Sequence, residues 1–345
     1  MPKTRAQQQL FAELQQRYGR AVAEAFFRAV DDVRSGIELQ RVTVAIENGD
    51  FDAALEALHI DPAAYTEVAE AVRQAYLEGG RATVQELPKR TPDGTALVVR
   101  FDGSNPEAER WLSASSATLV TRITEDQRQA VRDRLLLGMQ KGQNPRVVAL
   151  DIVGRINRAT GKREGGILGL TAAQAQYVAT ARDELASEDP AVLGHFLTRA
   201  RRDRRFDRSI TKALREEKAV APDIARKALA GYERRLLQLR GETIGKVEVF
   251  NALAEAKDRT YWQAVEDGKI AADTVTIRWR HLANEHPRLD HVAMNGRTIK
   301  LGERFVLPDG TLMRFPHDPS ASAKHNAGCH CQGDYRVNWL ATISR

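Results

Sequence analysis

The chain has 345 residues, of which 42% are hydrophobic and 28% charged, a balance that excludes wholesale disorder and predicts two or three packed units. Its 52 Lys and Arg residues exceed the 46 Asp and Glu residues by 6, too small an excess for a dedicated nucleic-acid packager. No apolar run approaches the roughly 18 to 20 residues of a spanning helix, and Met1–Thr4 does not open a signal peptide, so we expect a protein that needs no membrane and stays in the cytoplasm where it is made.

Residues 1–87 are predicted to form an N-terminal helical region. Apolar residues recur every three or four positions from Leu10 to Val33 among Arg, Gln and Glu, which is typical of a long amphipathic helix. A later helix is predicted over Ala63–Leu77. We expect it to end at Gly79-Gly80, because glycine is unfavourable inside helices.

Residues 88–105 differ in character and predict an insert between helical regions. Two prolines and Asp93-Gly94 indicate a turn, and the apolar run Ala96–Phe101 indicates one strand. The insert is therefore predicted to contain a strand and a turn.

Residues 106–270 are predicted to form a central helical domain. Asn144-Pro145 is a good helix start, with Asn as the cap and Pro in the first turn. The segment Gly161–Leu170 is rich in glycine and basic residues, so we expect an exposed loop. Helical periodicity returns over Pro222–Gly268, where three internal glycines are expected to break or bend the helix: Gly231, Gly241 and Gly245.

Six arginines cluster between positions 199 and 208, together with Asp203 and Asp207. The pattern indicates a solvated surface with internal ion pairs, and a contact with DNA or with a protein partner is the alternative. The candidate contact residues are Arg199, Arg201, Arg202, Arg204, Arg205 and Arg208.

Residues 271–345 are predicted to form a compact α+β module. Val275, Ile277 and Trp279 alternate with polar residues, which is the pattern of a half-buried strand. Pro308-Asp309-Gly310 is a strong turn signal between two short apolar segments and predicts a hairpin. The fold class predicted for the whole chain is mainly α, with long helices packed as an extended body and this small C-terminal α+β domain.

The segment from about residue 110 to 335 resembles the family of Mu F-like phage minor head proteins. The helical part contributes Gly169-Leu170-Thr171 and the downstream Arg240 and Thr243-Ile244. The C-terminal part is more specific: a Trp-led strand precedes an Asp/Arg and His segment, a Gly turn, a Pro-x-Asp element and a final Cys-x-Cys. Its residues here are Trp279, Arg280, Arg288, Asp290, His291, Asn295, Gly296, Phe305, Gly310, Phe315, Pro316, Asp318, Pro319, Cys329, His330 and Cys331.

Membership of this family implies a structural minor head protein and not an enzyme. Such a protein is held near the portal inside the procapsid, in several copies per particle, where it contacts portal and capsid proteins and aids head assembly. Its expected locations are the interior of the phage head and, during assembly, the host cytoplasm. A part in DNA packaging or ejection, with some DNA contact, is a further expectation. The chain departs from the family pattern where Gly328-Cys329-His330-Cys331 replaces the common Asn-Cys-Arg-Cys.

Both cysteines and six of the eight histidines lie in the last 65 residues: His281, His286, His291, His317, His325 and His330. Cys329 and Cys331, at alternate positions, can supply two thiolates on one side of an extended strand. We expect His291 as a third zinc ligand and His281 or His325 as the fourth, in a structural site that staples a small module. The alternative is that the cysteines pack as small apolar residues and the histidines form ordinary hydrogen bonds.

An enzymatic alternative rests on Asp290-His291, Asn326 and His330, whose order loosely resembles that of HNH nucleases. The spacing argues against it, because such sites carry the last ligand on a helix and Cys329–Trp339 has no helical stripe. A metal-dependent nuclease or other hydrolase is therefore the alternative function, and a DNA-binding structural module the second alternative. The sequence has no phosphate loop, dinucleotide fingerprint or zincin helix.

Overall fold

The structure is a computed structural model that describes residues 5–282, 287–339 and 341. It is mainly helical with small sheets, which confirms the predicted fold class. Among the described residues no helix is both long and apolar enough to cross a bilayer. The helices are α1 Arg5–Ser35, α2 Leu39–Glu47, α3 Phe51–Glu56, α4 Thr66–Glu86, α5 Pro106–Gln140, α6 Pro145–Val153, α7 Ala172–Ala186, α8 Pro190–Thr198, α9 Asp207–Arg215, α10 Pro222–Glu266, α11 Leu289–Ala293 and α12 Ala323–Asn326. The strands are β1 Arg155–Ile156, β2 Arg163–Glu164, β3 Val275–Arg280, β4 Thr298–Lys300, β5 Phe305–Val306, β6 Leu312–Met313 and β7 Gln332–Val337.

The chain divides into two compact units, and each is built from segments that are distant in sequence. The first unit comprises Met1–Ala23, Ala69–Ser116 and Glu242–Arg345. The second comprises Glu24–Val68 and Ala117–Gly241. The C-terminal module predicted from residue 271 onward therefore lies in the same unit as most of α4 and the last part of α10.

Helix α4 continues past Gly79-Gly80 to Glu86. The predicted end of this helix at the two glycines is therefore wrong. A β-carbon on Gly79 would lie 2.8 Å from a methyl carbon of Leu253, and one on Gly80 would collide with the ring of Phe101. These glycines permit close packing inside the first unit, which offsets their helix propensity cost of about 1 kcal/mol each.

The glycines of α10 do not produce the predicted break, since the helix is continuous over 45 residues. Gly245 lies against the backbone carbonyl of Gly19 in α1, where a side chain has no room. Gly241 faces the ring of Phe27 in the same way, within the second unit. Both positions serve close approach between helices.

The insert at 88–105 contains the predicted turn but lacks the predicted strand. A single antiparallel bridge joins Arg90 to Ala96 around Asp93-Gly94. Leu97 and Val99 alternate with the exposed Val98 and are buried in the core of the first unit. The alternation reflects one-sided burial of an extended segment that makes no ladder with a neighbouring strand.

The segment Gly161–Leu170 is only partly the exposed loop that we predicted. Its first residues form the turn and second strand of the β1-β2 hairpin, but Ile167, Leu168 and Leu170 are fully buried in the second unit. Buried side chains satisfy the polar backbone there. Arg34 donates to the Leu168 carbonyl at 2.7 Å, Arg240 donates to the Gly169 carbonyl at 2.9 Å, and the Gly169 amide donates to Gln127 at 3.1 Å.

The C-terminal sheet has the order β4-β3-β7, and all of its pairings are antiparallel. In β3 the side chains of Val275, Ile277 and Trp279 are buried, as the alternation predicted. The hairpin β5-β6 turns at Pro308-Asp309-Gly310, as predicted, with Gly310 at φ 83°. Together these strands enclose a core that includes both cysteines.

Candidate metal centre

One strand pairing and one short helix of the C-terminal module bring the candidate metal ligands together. Strand β7 pairs with β3 in a register that places Gln332 opposite Arg280. Continued one residue further, that register sets Cys331 opposite His281. The short helix α11 carries His291 into the core, where its ring meets the edge of Trp279 at a centroid distance of 5.4 Å.

His291, Cys329 and Cys331 form a compact cluster whose donor atoms all lie within 4.8 Å of one another. The Nδ1 atom of His291 is 3.3 Å from Cys329 Sγ and 3.6 Å from Cys331 Sγ. All three side chains are buried, with at most 3% of their surface exposed. The backbone amide of Cys331 donates to Cys329 Sγ at 3.4 Å, a contact that favours a charged sulfur.

These separations match the edges of a zinc tetrahedron. For bonds of about 2.3 Å to sulfur and about 2.0 Å to nitrogen, tetrahedral geometry puts a sulfur and a nitrogen ligand about 3.5 Å apart. The observed distances of 3.3 and 3.6 Å bracket that value. The cluster can therefore hold a metal ion with little movement of its side chains.

The two thiols differ in their tendency to ionise. The neighbouring Cys329 thiol, with hydrogen bonds from His291 and His281, lowers the pKa of Cys331 to about 4. The pKa of Cys329 is raised, because a thiol next to a thiolate and away from water loses its proton less readily. Cys331 is therefore the thiol that ionises more readily, and a bound cation would favour ionisation of both.

His281, the predicted fourth ligand, lies at the edge of this cluster. Its Nδ1 atom is 3.6 Å from Cys331 Sγ, but it is not among the donors that all approach one another within 4.8 Å. Its side chain is partly exposed, and its backbone amide donates to the Asn295 side chain at 3.0 Å. His286 lies outside the described residues.

His325 is not placed as a ligand but directly behind His291. Its Nδ1 lies 3.2 Å from His291 Nε2, and its Nε2 lies 3.0 Å from an Asp309 carboxylate oxygen. Lys324 and the Thr311 amide also donate to Asp309 and hold its pKa well below the usual range. The ionised carboxylate can accept a hydrogen bond from His325 Nε2. His325 Nδ1 can then accept one from His291 Nε2, which leaves His291 Nδ1 free to bind a metal. Sequence reasoning missed Asp309, which it identified only as a turn residue.

Replacing His325 with alanine is expected to weaken metal binding without removing a ligand. The change leaves His291 Nε2 without its acceptor, and loss of such an outer partner lowers metal affinity about 10- to 100-fold. Competition with a chromophoric chelator measures the effect. His195→Ala, at an exposed histidine of the second unit, is the matched control and should leave affinity unchanged. An affinity in His325→Ala equal to that of the control would contradict the assigned role.

The remaining C-terminal histidines make other contacts. His330 points away from the two cysteines that flank it, since its Nε2 lies 2.6 Å from Lys246 Nζ and its ring stacks near Phe250. His317 is fully buried against Phe250, with a centroid distance of 4.6 Å. Burial lowers the pKa of His317 to about 3, so the ring is neutral. Asn326 donates to the Asp318 carbonyl at 2.8 Å. The three residues of the HNH-like order, His291, Asn326 and His330, thus each engage different partners.

The arginine cluster of the second unit is only half engaged in ion pairs. Arg199 binds Glu184 through two nitrogens, and Arg202 binds Asp207 in the same way. Arg205 pairs with Asp203, although its side chain is mostly exposed. The other three arginines are exposed and have no ion-pair partner among the described residues: Arg201, Arg204 and Arg208. These three are the part of the cluster that is free to contact a partner.

Comparison of this chain with models of protein families, with curated proteins and with solved structures found no match in any of the three.

Proposed function

We propose that this chain is a minor head-morphogenesis protein of a tailed phage, associated with the portal inside the procapsid, and that its C-terminal module holds a structural zinc ion. The zinc ligands in this proposal are His291, Cys329 and Cys331, with His281 as the fourth. One observation carries the proposal: the residues of the Mu F-like pattern are the ones that build the module around the sulfur and nitrogen cluster.

Trp279 illustrates this coincidence. Its indole is fully buried and meets the rings of both His291 and Phe305 edge-on, at centroid distances of 5.4 and 5.2 Å. Its backbone accepts from the Gly296 amide at 2.8 Å, and Gly296 has a φ of 84°, which few residues other than glycine adopt. The Trp, the Asn-Gly turn and the His segment of the pattern therefore share one packing core.

The Pro-x-Asp element of the pattern fixes the module to a helix. Asp318 is fully buried and pairs with Arg314 at 2.9 Å, and it also caps the following turn through Ser320. Arg314 reaches at the same time to Glu255 of α10, 2.8 Å away. These charge-assisted contacts give a rigid attachment, as a module that orients a helical arm requires.

Burial of the candidate ligands supports a structural role for the metal over hydrolysis. Structural zinc sites fill all four positions with protein donors, whereas catalytic sites keep one open for water or substrate. His291, Cys329 and Cys331 are each at most 3% exposed, so a phosphate diester has little access to a metal ion bound between them. The nuclease alternative predicts metal-dependent DNA cleavage that is lost in His291→Ala.

The decisive experiment is assembly in the presence of the candidate partners. The tagged chain is co-expressed with candidate portal and major capsid proteins of a tailed phage, and procapsids are isolated by sedimentation. We expect several copies of the chain per particle and no DNA cleavage by the purified protein. Particles that assemble with portal but exclude the chain would refute the proposal, and metal-dependent cleavage would establish the alternative.

The exposed arginines provide a surface variant for the same experiment. Replacing Arg201, Arg204 and Arg208 together with alanine leaves every ion pair of the cluster intact, so the unfolding midpoint should stay unchanged. If they contact portal or capsid, recovery of the chain in procapsids falls. The matched control is the triple substitution by lysine, which keeps the charge. Equal recovery of the triple alanine variant and the unchanged chain in procapsids would show that these arginines do not contact portal or capsid.

A further inference from the structure

The second unit contains a cavity of about 510 Å³ that the proposed function does not use. The end of α6, the loop Glu164–Gly166, the end of α7 and the first turns of α10 surround it. Its walls are largely apolar, with Leu150, Leu185, Val220 and Leu229 among the lining residues. A volume of this size lies within the range of roughly 300 to 1,000 Å³ that is usual for small-molecule sites.

A buried carboxyl group, that of Glu233, forms part of this lining. Only 5% of Glu233 is exposed, and among the described residues its one hydrogen bond comes from the Gly166 amide, at 3.0 Å. No arginine or lysine of the described residues pairs with it. A carboxylate offers about four lone-pair sites, so most of its acceptor capacity is unused.

The charged groups near Glu233 are engaged elsewhere. Arg182 pairs with Asp151 at 3.0 Å, and Arg134 binds the same carboxylate at 2.6 Å. Arg34, which lines a neighbouring cavity together with Glu233, donates to the Leu168 carbonyl and lies beyond ion-pair distance of Glu233. Burial raises the pKa of Glu233 to about 7, because these cations only partly offset the loss of water. An unpaired carboxyl in this position is costly unless a proton or a cationic ligand neutralises it.

We infer that this cavity binds an organic cation, a primary amine or guanidinium on a short apolar body, with its charged head on Glu233. The apolar walls would take the body, and the head would replace the proton on the carboxyl by charge-assisted hydrogen bonds. Three arginines also line the cavity: Arg155, Arg182 and Arg226. Arg182 is neutralised by its pair with Asp151, and Arg155 and Arg226 are exposed, so water screens them more than it screens Glu233. A free amine and a lysine or arginine side chain of a partner protein share this chemistry.

The test uses the full-length chain and titration calorimetry with hexylamine, hexylguanidine, hexanol and hexanoate at pH 8. We expect the two cations to bind about tenfold or more tightly than the neutral and anionic probes, the size of one hydrogen bond to a charged group. An acetylated Leu-Lys-Leu amide distinguishes the sources: binding comparable to hexylamine indicates a protein side chain, and binding only of the free amines indicates a small molecule. Equal affinity for all four hexyl probes, or preference for hexanoate, would overturn the inference.

Two variants assign any binding to this site. Glu233→Gln keeps an oxygen for the Gly166 amide and removes a buried charge, so it should fold and lose the tenfold preference for cations. Leu229→Trp fills the cavity, keeps the carboxyl and should abolish binding of every hexyl probe. Glu216→Gln, at an exposed glutamate of the same unit, is the control and should bind like the unchanged chain. Preference retained in Glu233→Gln, or binding retained in Leu229→Trp, would place the cation elsewhere and refute the proposal.

Discussion

Replacing Cys331 with serine is expected to release the metal ion and to destabilise the C-terminal module strongly. A serine hydroxyl is a poor zinc ligand and would remain buried among imidazoles where a thiolate stood. Binding energy at a structural zinc site contributes directly to folding energy, so we expect a loss of about 4 kcal/mol or more, at the upper end of single-substitution effects. Metal content by mass spectrometry and urea unfolding followed by circular dichroism measure the two effects.

The residue between the two cysteines supplies the control for this prediction. The side chain of His330 contacts Lys246 and Phe250 and none of the cluster donors. His330→Ala should therefore keep its metal and change the free energy of unfolding by less than about 1 kcal/mol. Cys329→Ser should behave like Cys331→Ser. Metal retained in either serine variant, or lost in His330→Ala, would show that the cluster is not the binding site.

Truncating Trp279 to alanine is expected to have the second-largest effect. The side chain is fully buried in the core of the first unit, and removal of a buried tryptophan costs about 3 to 5 kcal/mol. The same change removes the ring that packs edge-on against His291, so metal affinity should fall as well. Urea unfolding gives the first quantity and chelator competition the second.

Conservative and surface variants separate packing from general sensitivity. Trp279→Phe keeps an aromatic edge for His291 and should lose less than half as much stability as Trp279→Ala. Leu289→Ala, at a leucine with 82% of its surface exposed in the same module, should lie within about 0.5 kcal/mol of the unchanged chain. A Trp279→Ala variant as stable as Leu289→Ala would mean that the sheet core is not where the structure places it.

Local patterns in the sequence predicted the elements whose structure depends on near neighbours. The three- to four-residue repeat of α1, the alternation of β3 and the Pro308-Asp309-Gly310 turn all appear in the structure as expected. The predicted grouping of His291 with Cys329 and Cys331 is also present in the structure. For the helix, the strand and the turn, the signal and the structural cause lie within a few residues of each other.

Features set by distant partners could not be predicted in this way. Gly79 and Gly80 were predicted to end a helix. Their packing partners are distant in sequence, so the local pattern could not indicate them: Leu253 and Phe101. Gly161–Leu170 was predicted to be an exposed loop. The local sequence does not show that the distant Arg34 and Arg240 donate hydrogen bonds to its backbone carbonyls and allow its burial. The division into two interleaved units has the same origin, since contacts between remote segments decide it.

The ligand set shows the same limit at the level of single residues. The sequence allowed either His281 or His325 as the fourth ligand. In the structure the two ring nitrogens of His325 lie within hydrogen-bond distance of Asp309 and His291. The register of β3 and β7 places His281 beside Cys331, and sequence alone does not fix this register. Histidine can bind a metal directly or orient another histidine that does. Only the neighbouring groups in the structure show which role a given histidine has.

The metal content of the purified chain shows directly whether the C-terminal module holds a metal ion. The protein is expressed with zinc in the medium, purified without chelators and analysed by elemental mass spectrometry beside its measured concentration. We expect about one zinc ion per chain, which an excess of a strong chelator removes together with much of the module's stability. Less than about half an equivalent of any metal under these conditions would contradict it.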